Sequence, residues 1–255
     1  MRIATWNVNS IRTRHGRRDE VASGQRCRHP ATARDEVSRR ADVAVDDYAN
    51  LGYETAHTGV DHWNGVAILS RVGLDDVRRG FPGDNRPPFD EARVMSALCG
   101  GIRVWSVYVP NGRELDDPHY LFKLVWLERL RSSIDPREPN VVAGDFNVAP
   151  TDADIYDPRR WKKRTHASKP ERGAIVALTD LGLRDVMREH LPGPGVFTWW
   201  GYRPGQFELN RGLRIDLALC SPSVADRVRT VRIDTEERAG ERPSDHAPVV
   251  LELTN

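Results

Sequence analysis

Cysteine is scarce in this chain. The three residues Cys27, Cys99 and Cys220 are widely spaced and none forms a C-x-x-C pair, which argues against a zinc site and for a reducing compartment. Long apolar runs are missing as well. No stretch approaches membrane-spanning length, and Met1-Arg2-Ile3-Ala4-Thr5-Trp6 opens like a strand without the apolar core of a signal peptide. The expectation is a soluble, cytoplasmic protein with no membrane partner. Excess charge is also absent: 38 Lys+Arg stand against 37 Asp+Glu, a net charge of +1. A local basic groove can hide in such a total, so a polyanionic partner is neither announced nor excluded. No linker, repeat or low-complexity tract divides the 255 residues, of which 39% are hydrophobic. One α/β domain over residues 1–255 is expected.

What is present is organised around residues 140–150, Asn-Val-Val-Ala-Gly-Asp-Phe-Asn-Val-Ala-Pro. A short apolar run closed by Gly reads as a buried strand ending in a turn that presents Asp145 and Asn147. Residues two apart on a strand share a face, so both side chains can aim at one ligand. A carboxylate can hold a hard cation or orient a water, and an amide can bond that water or an anionic oxygen without adding charge. That pairing suits hydrolysis, although an Asp and an Asn can also simply cap a turn.

Other strand exits carry polar groups too. Residues 2–6 form a first strand with Asn7 just beyond it, residues 102–109 end in Tyr108-Val109-Pro110-Asn111-Gly112, and residues 249–253 follow Ser244-Asp245-His246-Ala247-Pro248. Residues 212–219 read as a strand containing Asp216, residues 196–200 as an aromatic strand, and residues 93–98 as the partner of 102–109. Residues 52–57 and 65–70 read as a hairpin turned at Asn64-Gly65. Asp117-Pro118 starts a helix whose Leu121, Leu124, Val125, Leu127 and Leu130 have core-facing spacing, and a second helix is expected over 172–181. Each polar group has an ordinary reading: Tyr108 as a strand aromatic, His246 as a turn residue, Asp216 as a core acid beside Arg214. Their repeated placement at strand ends is what a cleft at one edge of packed sheets requires.

In this combination and order, six segments resemble the exonuclease III type of abasic-site endonuclease, within the superfamily of metal-dependent endonucleases, exonucleases and phosphatases. They are Thr5-Trp6-Asn7-Val8-Asn9-Ser10-Ile11-Arg12, Trp63-Asn64-Gly65-Val66-Ala67-Ile68, Tyr108 to Gly112, Gly144-Asp145-Phe146-Asn147, Arg211-Gly212-Leu213-Arg214-Ile215-Asp216 and Ser244 to Pro248. The resemblance implies a single-domain α/β fold, a four-layer α-β-β-α sandwich of two sheets. It implies Mg²⁺- or Mn²⁺-dependent hydrolysis of double-stranded DNA at abasic sites and blocked 3′ ends, with 3′-to-5′ exonuclease action, by a monomer. By position, Asp145 and Asn147 would handle the attacking water, His246 held by Asp216 would bind the phosphate, and Tyr108 would donate to a phosphate oxygen. Asn7 and Asp245 would serve the metal. Trp199, Trp200 and Leu213 would line a pocket for a base-less sugar, with Arg211 and Arg214 as DNA backbone contacts.

The resemblance fails over residues 14–47, which carry hardly a large apolar residue and read as a long solvated loop. Relatives place there an apolar strand ending in Gln-Glu-Thr-Lys, whose Glu is the principal metal carboxylate. Codons for Glu-Thr-Lys read one base earlier give Asp-Glu-Val after a first Arg or Gly, and the chain has Arg34-Asp35-Glu36-Val37. Asp-Ile-Leu shifted likewise gives Arg-His-Pro, matching Arg28-His29-Pro30. Residues from about 15 to 45 therefore read as an out-of-frame version of an ordinary segment, with a weakened metal site as the consequence; the alternative is a genuine divergent loop in which Glu36 is the substitute ligand. Two other functions compete: a catalytically dead DNA-binding protein, and a superfamily phosphoesterase acting on phospholipid or inositol phosphate.

Overall fold

The computed structural model describes residues 1–9, 30–33, 48–60, 64–83 and 91–254. In chain order the strands are β1 (Arg2–Asn7), β2 (Pro30–Ala33), β3 (Glu54–Val60), β4 (Asn64–Ser70), β5 (Asp75–Arg79), β6 (Val94–Cys99), β7 (Ile102–Tyr108), β8 (Asn140–Asp145), β9 (Arg184–Asp185), β10 (Asp216–Cys220), β11 (Val228–Ile233) and β12 (Val249–Leu253). They form two six-stranded sheets, ordered β11-β12-β1-β2-β4-β3 and β5-β6-β7-β8-β10-β9. Alternation along the central strands builds two cores at once. Val141, Ala143 and Ala218 face inward, meeting Ile3, Ile68 and Leu251 of the other sheet. Val142, Leu217 and Leu219 face outward against two helices, α1 (Pro118–Ser133) and α3 (Lys169–Asp180), with the short α2 (Pro158–Trp161) between them in sequence. Burial on both faces explains why residues 141–144 read as an unbroken apolar run. The result is the expected two-sheet α/β sandwich.

Four local expectations are corrected. Residues 30–33, read as loop, form β2 in the middle of the first sheet, parallel to β1 and antiparallel to β4. Without it, the buried edges of β1 and β4 would leave their backbone donors and acceptors without partners, a requirement no side-chain pattern announces. On α1 the buried stripe is Tyr120, Lys123, Trp126, Leu127 and Leu130, whereas Leu121 and Val125 are 65% and 46% exposed. Large aromatic rings set the register, and steps of three and four from Tyr120 leave 121 and 125 outward. Residues 196–200 are not a strand but irregular chain pinned by bridges from Trp199 to Leu213 and to His246. Asn64-Gly65 lies within β4, paired with Val60 and Gly59, and not in the turn.

Gly144 sets how β8 ends. A Cβ there would lie 1.9 Å from the Val107 carbonyl oxygen, at a φ of +150°, so only glycine lets β8 approach β7 and still deliver Asp145 to the sheet edge. Gly144→Ala is expected to cost several kcal/mol of the ~5–15 kcal/mol typical of a domain. Denaturant unfolding should show a midpoint shift of that size.

Candidate active site

Topology brings the polar strand ends together. β7 runs parallel to β8 with Tyr108 opposite Asp145, and β10 runs antiparallel to β8 with Asp216 opposite Asp145. Tyr108, Asp145 and Asp216 therefore form one row across three adjacent strands. From the other sheet, β1 ends at Asn7, whose Nδ2 donates to Asp145 Oδ2 at 2.9 Å and lies 3.3 Å from His246 Nε2. Asp145 Oδ1 accepts from the Asn147 backbone N–H at 2.8 Å, and Oδ2 also accepts from Asn147 Nδ2 at 3.3 Å. His246 precedes β12, with Nδ1 2.8 Å from Asp216 Oδ2 and Nε2 3.8 Å from Asp145 Oδ2. The Arg93 guanidinium lies 4.5 Å over the Tyr108 ring. Asp245 Oδ1 lies 3.9 Å from His246 Nε2, and its carboxylate is held by Asn9 Nδ2 and Trp199 Nε1.

Burial and charge tune this cluster. Burial opposes the His246 imidazolium, but the Asp216 and Asp145 carboxylates outweigh it and raise its pKa to about 9. Asp145 is pushed up to about 6 by burial, against the pull of His246 and with Asp216 adding to the rise. The site thus pairs a carboxylate that titrates near neutrality with a fixed cation whose Nδ1 proton goes to Asp216.

Atoms of Asp145, Asp216 and His246 lie within 4.8 Å of one another, and Asp216 Oδ1 is buried without a hydrogen-bond partner. Oxygen donors from Asp145, Asp216, Asp245 and Asn7 suit a hard divalent cation. A protonated His246 does not, because a ligand imidazole must be neutral. Glu36 lies outside the described residues.

The comparisons agree with this chemistry. Residues 4–246 match the model of the Endonuclease/Exonuclease/phosphatase family. The chain belongs to that family. It is 31% identical to exodeoxyribonuclease III of Haemophilus influenzae over 99% of this chain and 100% of the relative. Among solved structures it matches, over 100% of both chains, the 3′ phosphatase NExo from Neisseria bound to a product DNA hairpin (36% identity, TM-score 0.94). It likewise matches an AP endonuclease from Archaeoglobus fulgidus (33%, 0.93, both chains fully covered).

Within the family fold, this edge opens into a cavity of about 460 Å³ that Tyr108, Asp145, Asn147, Trp199, Leu213 and His246 help to line. Of the tryptophan pair only Trp199 reaches it. Trp200 is 2% exposed, packs on Phe197 and Ala247, and donates from Nε1 to Asn210 Oδ1 at 3.0 Å. It is a core residue, pointing away from Trp199 as consecutive side chains of an extended chain do. Arg214 is also not at the surface: it is 1% exposed, with Nε 2.6 Å from Asp154 and Nη2 2.8 Å from Asp185. The Asp216 carboxylate is therefore not its partner, and Arg214 cannot reach a DNA backbone. Arg211 lines a neighbouring cavity with Trp199 and Leu213.

The sequence reading missed His166. Its Nε2 lies 3.1 Å from Asn147 Oδ1 and 3.3 Å from Asn111 Nδ2, its φ is +75°, and its ring stands edge-on to Trp161. Burial, with Lys123 adding, lowers its pKa to about 3, so the ring is neutral. Its only sequence signal is position, two residues before the capping box Ser168…Glu171. Asn111 stood in a matched segment without a role, and its Nδ2 donates to Asn147 Oδ1 at 3.3 Å.

Proposed function

We propose that the chain is a divalent-metal-dependent DNA phosphodiester hydrolase of repair, incising at abasic sites and processing 3′ ends as an exonuclease. The observation that carries this reading is Asp145, gripped by Asn7 and Asn147 and facing an imidazolium fixed by Asp216. Asp145 takes a proton from water as the water oxygen bonds to phosphorus and the bond from phosphorus to the departing sugar oxygen breaks. A pKa near 6 makes it a competent base at neutral pH. His246 Nε2 donates to a non-bridging oxygen and balances the charge that develops there, while Tyr108 supplies a second donor. Asn147 orients the carboxylate and the water. Asn7 and Asp245, together with Glu36, would hold Mg²⁺ or Mn²⁺, which when bound acts as a Lewis acid and lowers the pKa of water.

Trp199 and Leu213 supply an apolar wall for a sugar without its base, and Arg211 contacts the backbone. The relatives' names, a nuclease, a 3′ phosphatase and an AP endonuclease, favour DNA over inositol phosphate or phospholipid, and an active enzyme over a dead binder. Among the described residues no helix is long and apolar enough to cross a membrane, and Cys99 and Cys220 are free and buried; a cytoplasmic monomer is part of the proposal. The test is hydrolysis of labelled duplexes carrying an abasic analogue, a 3′ phosphate or a recessed 3′ end, with Mg²⁺ titrated and with EDTA. No cleavage of any of them by a folded chain at any Mg²⁺ concentration sinks the proposal.

Asp216→Asn carries a pH signature. The active imidazolium is present below the His246 pKa and is lost as pH rises through about 9. Removing the carboxylate that raises it should move the alkaline limb of kcat/KM about one pH unit or more toward neutrality. An unshifted limb would show that His246 does not set it.

A further inference from the structure

A buried hydroxyl costs stability unless it is hydrogen-bonded, and Thr198 is 0% exposed. Its Oγ1 accepts from two backbone N–H groups, those of Ile215 at 3.2 Å and Asp216 at 3.1 Å. The need for such an acceptor follows from the sheet. β8 covers one edge of β10, but β9 on the other edge is only two residues long and pairs with Leu219 and Cys220 alone. The N–H of Asp216 lies beyond its reach, and Thr198 Oγ1 stands where a strand carbonyl would. The Thr198 backbone is committed in the opposite direction: its carbonyl accepts from the Ala247 N–H at 2.8 Å, and the next residue, Trp199, bridges to His246. One residue therefore joins the strand that carries Asp216 to the segment that carries His246.

Asp216 has little else to aim it. Its Oδ2 lies 2.8 Å from His246 Nδ1, and its Oδ1 has no hydrogen-bond partner among the described residues. A carboxylate with a single side-chain contact is aimed by its backbone, and here the two partners come from different sheets, β10 and the approach to β12. His246 is fixed on its own side, where its N–H donates to Ser244 Oγ at 3.2 Å and its carbonyl accepts from Trp6 Nε1 at 3.0 Å. The Asp216 side of the pair has its brace in Thr198. We infer that Thr198 is a positioning residue for the reaction: its hydroxyl oxygen holds the backbone of Asp216, and through Asp216 the imidazole of His246, in the orientation that meets the phosphate. Thr198 does not itself line the cavity at this edge. The inference rests on the proposed hydrolase function.

Two substitutions separate the hydroxyl from the packing. Thr198→Val keeps the shape of the side chain and removes the acceptor, whereas Thr198→Ser keeps the acceptor and removes a methyl group. Misplacing a reacting group by about 1 Å costs about 10²-fold, so Thr198→Val is expected to lower kcat for duplex cleavage about 10–100-fold with KM within about twofold, and Thr198→Ser to stay within about threefold of wild-type kcat. A second readout needs no substrate. The His246 Nδ1 proton, held against Asp216, gives a low-field proton resonance that His246→Gln identifies by its loss. That resonance is expected in the wild type and in Thr198→Ser, and is expected to disappear by exchange in Thr198→Val. Wild-type kcat in Thr198→Val overturns the inference, as does a loss of kcat with the resonance intact. An equal loss in the serine and valine variants assigns the effect to packing and overturns it too. Circular dichroism verifies folding. Should Thr198→Val not fold, Thr198→Cys, whose thiol is a weak acceptor, is read by the same two outcomes; failure of both to fold assigns Thr198 to the fold alone and overturns the inference. A wild type that shows the resonance and cleaves nothing overturns the proposed function, and the resonance in the variants still decides whether Thr198 braces Asp216.

Discussion

Asp145→Asn is expected to lower kcat/KM for duplex cleavage by about 10²–10⁴-fold, the range that loss of a general base produces. The substitution keeps the volume of the side chain and removes its proton-accepting charge. Two carboxylate oxygens now accept from Asn7 Nδ2, the Asn147 backbone N–H and Asn147 Nδ2. An amide offers one oxygen to those three donors and points an N–H at the rest, so the water loses both its base and its alignment. Stability should move in a different direction from activity. Burial raises Asp145 to about 6 from an ordinary value of 3.8. An acid whose pKa is higher in the folded state costs stability once it ionises there, at pH above both values. Replacing it by a neutral isostere is therefore expected to leave Tm at pH 8 undiminished. A Tm that falls together with activity would assign the loss to unfolding and remove Asp145 from the chemistry.

The candidate site was legible because its residues sit at ends of strands whose apolar runs are easy to read. Asn7, Tyr108, Asp145 and His246 each follow, close or precede such a run, and strand ends at one sheet edge converge whatever the loops do. The resemblance gave Asp216 its partner His246, whereas proximity in sequence alone pointed to Arg214; in the fold His246 Nδ1 lies 2.8 Å from Asp216 Oδ2. β2 was illegible for the opposite reason. It is held by backbone pairing to β1 and β4, which leaves no mark in side-chain periodicity. Trp199 and Trp200 look alike in sequence, and only the packing of Trp200 on Phe197 and Ala247 decides which one meets the cavity. His166 combines a left-handed backbone with bonds to residues 19 and 55 positions away. None of that is local.

The buried pair beneath these loops yields the other large effect. Lys123 and Glu171 are both 0% exposed, with Nζ 2.5 Å from Oε1. The remaining ammonium protons go to the carbonyls of Asn147 at 2.7 Å and Asn111 at 3.2 Å. Glu171 in turn accepts from the backbone N–H groups of His166 and Ser168. Burial lowers the Lys123 pKa against the opposing pull of Glu171, so the ammonium is kept only while its partner stays. Lys123→Met would strand a carboxylate and two carbonyls in the interior, and a loss of about 3–5 kcal/mol is expected. Lys123→Met/Glu171→Gln removes both charges and should recover much of that loss, because the desolvation cost of the pair disappears with the pair. Activity should not follow stability. Asn147 stands at a φ of +50°, and its carbonyl has lost its anchor in both variants. The double variant is thus expected to regain its unfolding midpoint in urea while kcat stays low and KM changes little. Recovery of kcat along with stability would mean that the pair holds the fold together but does not position Asn147.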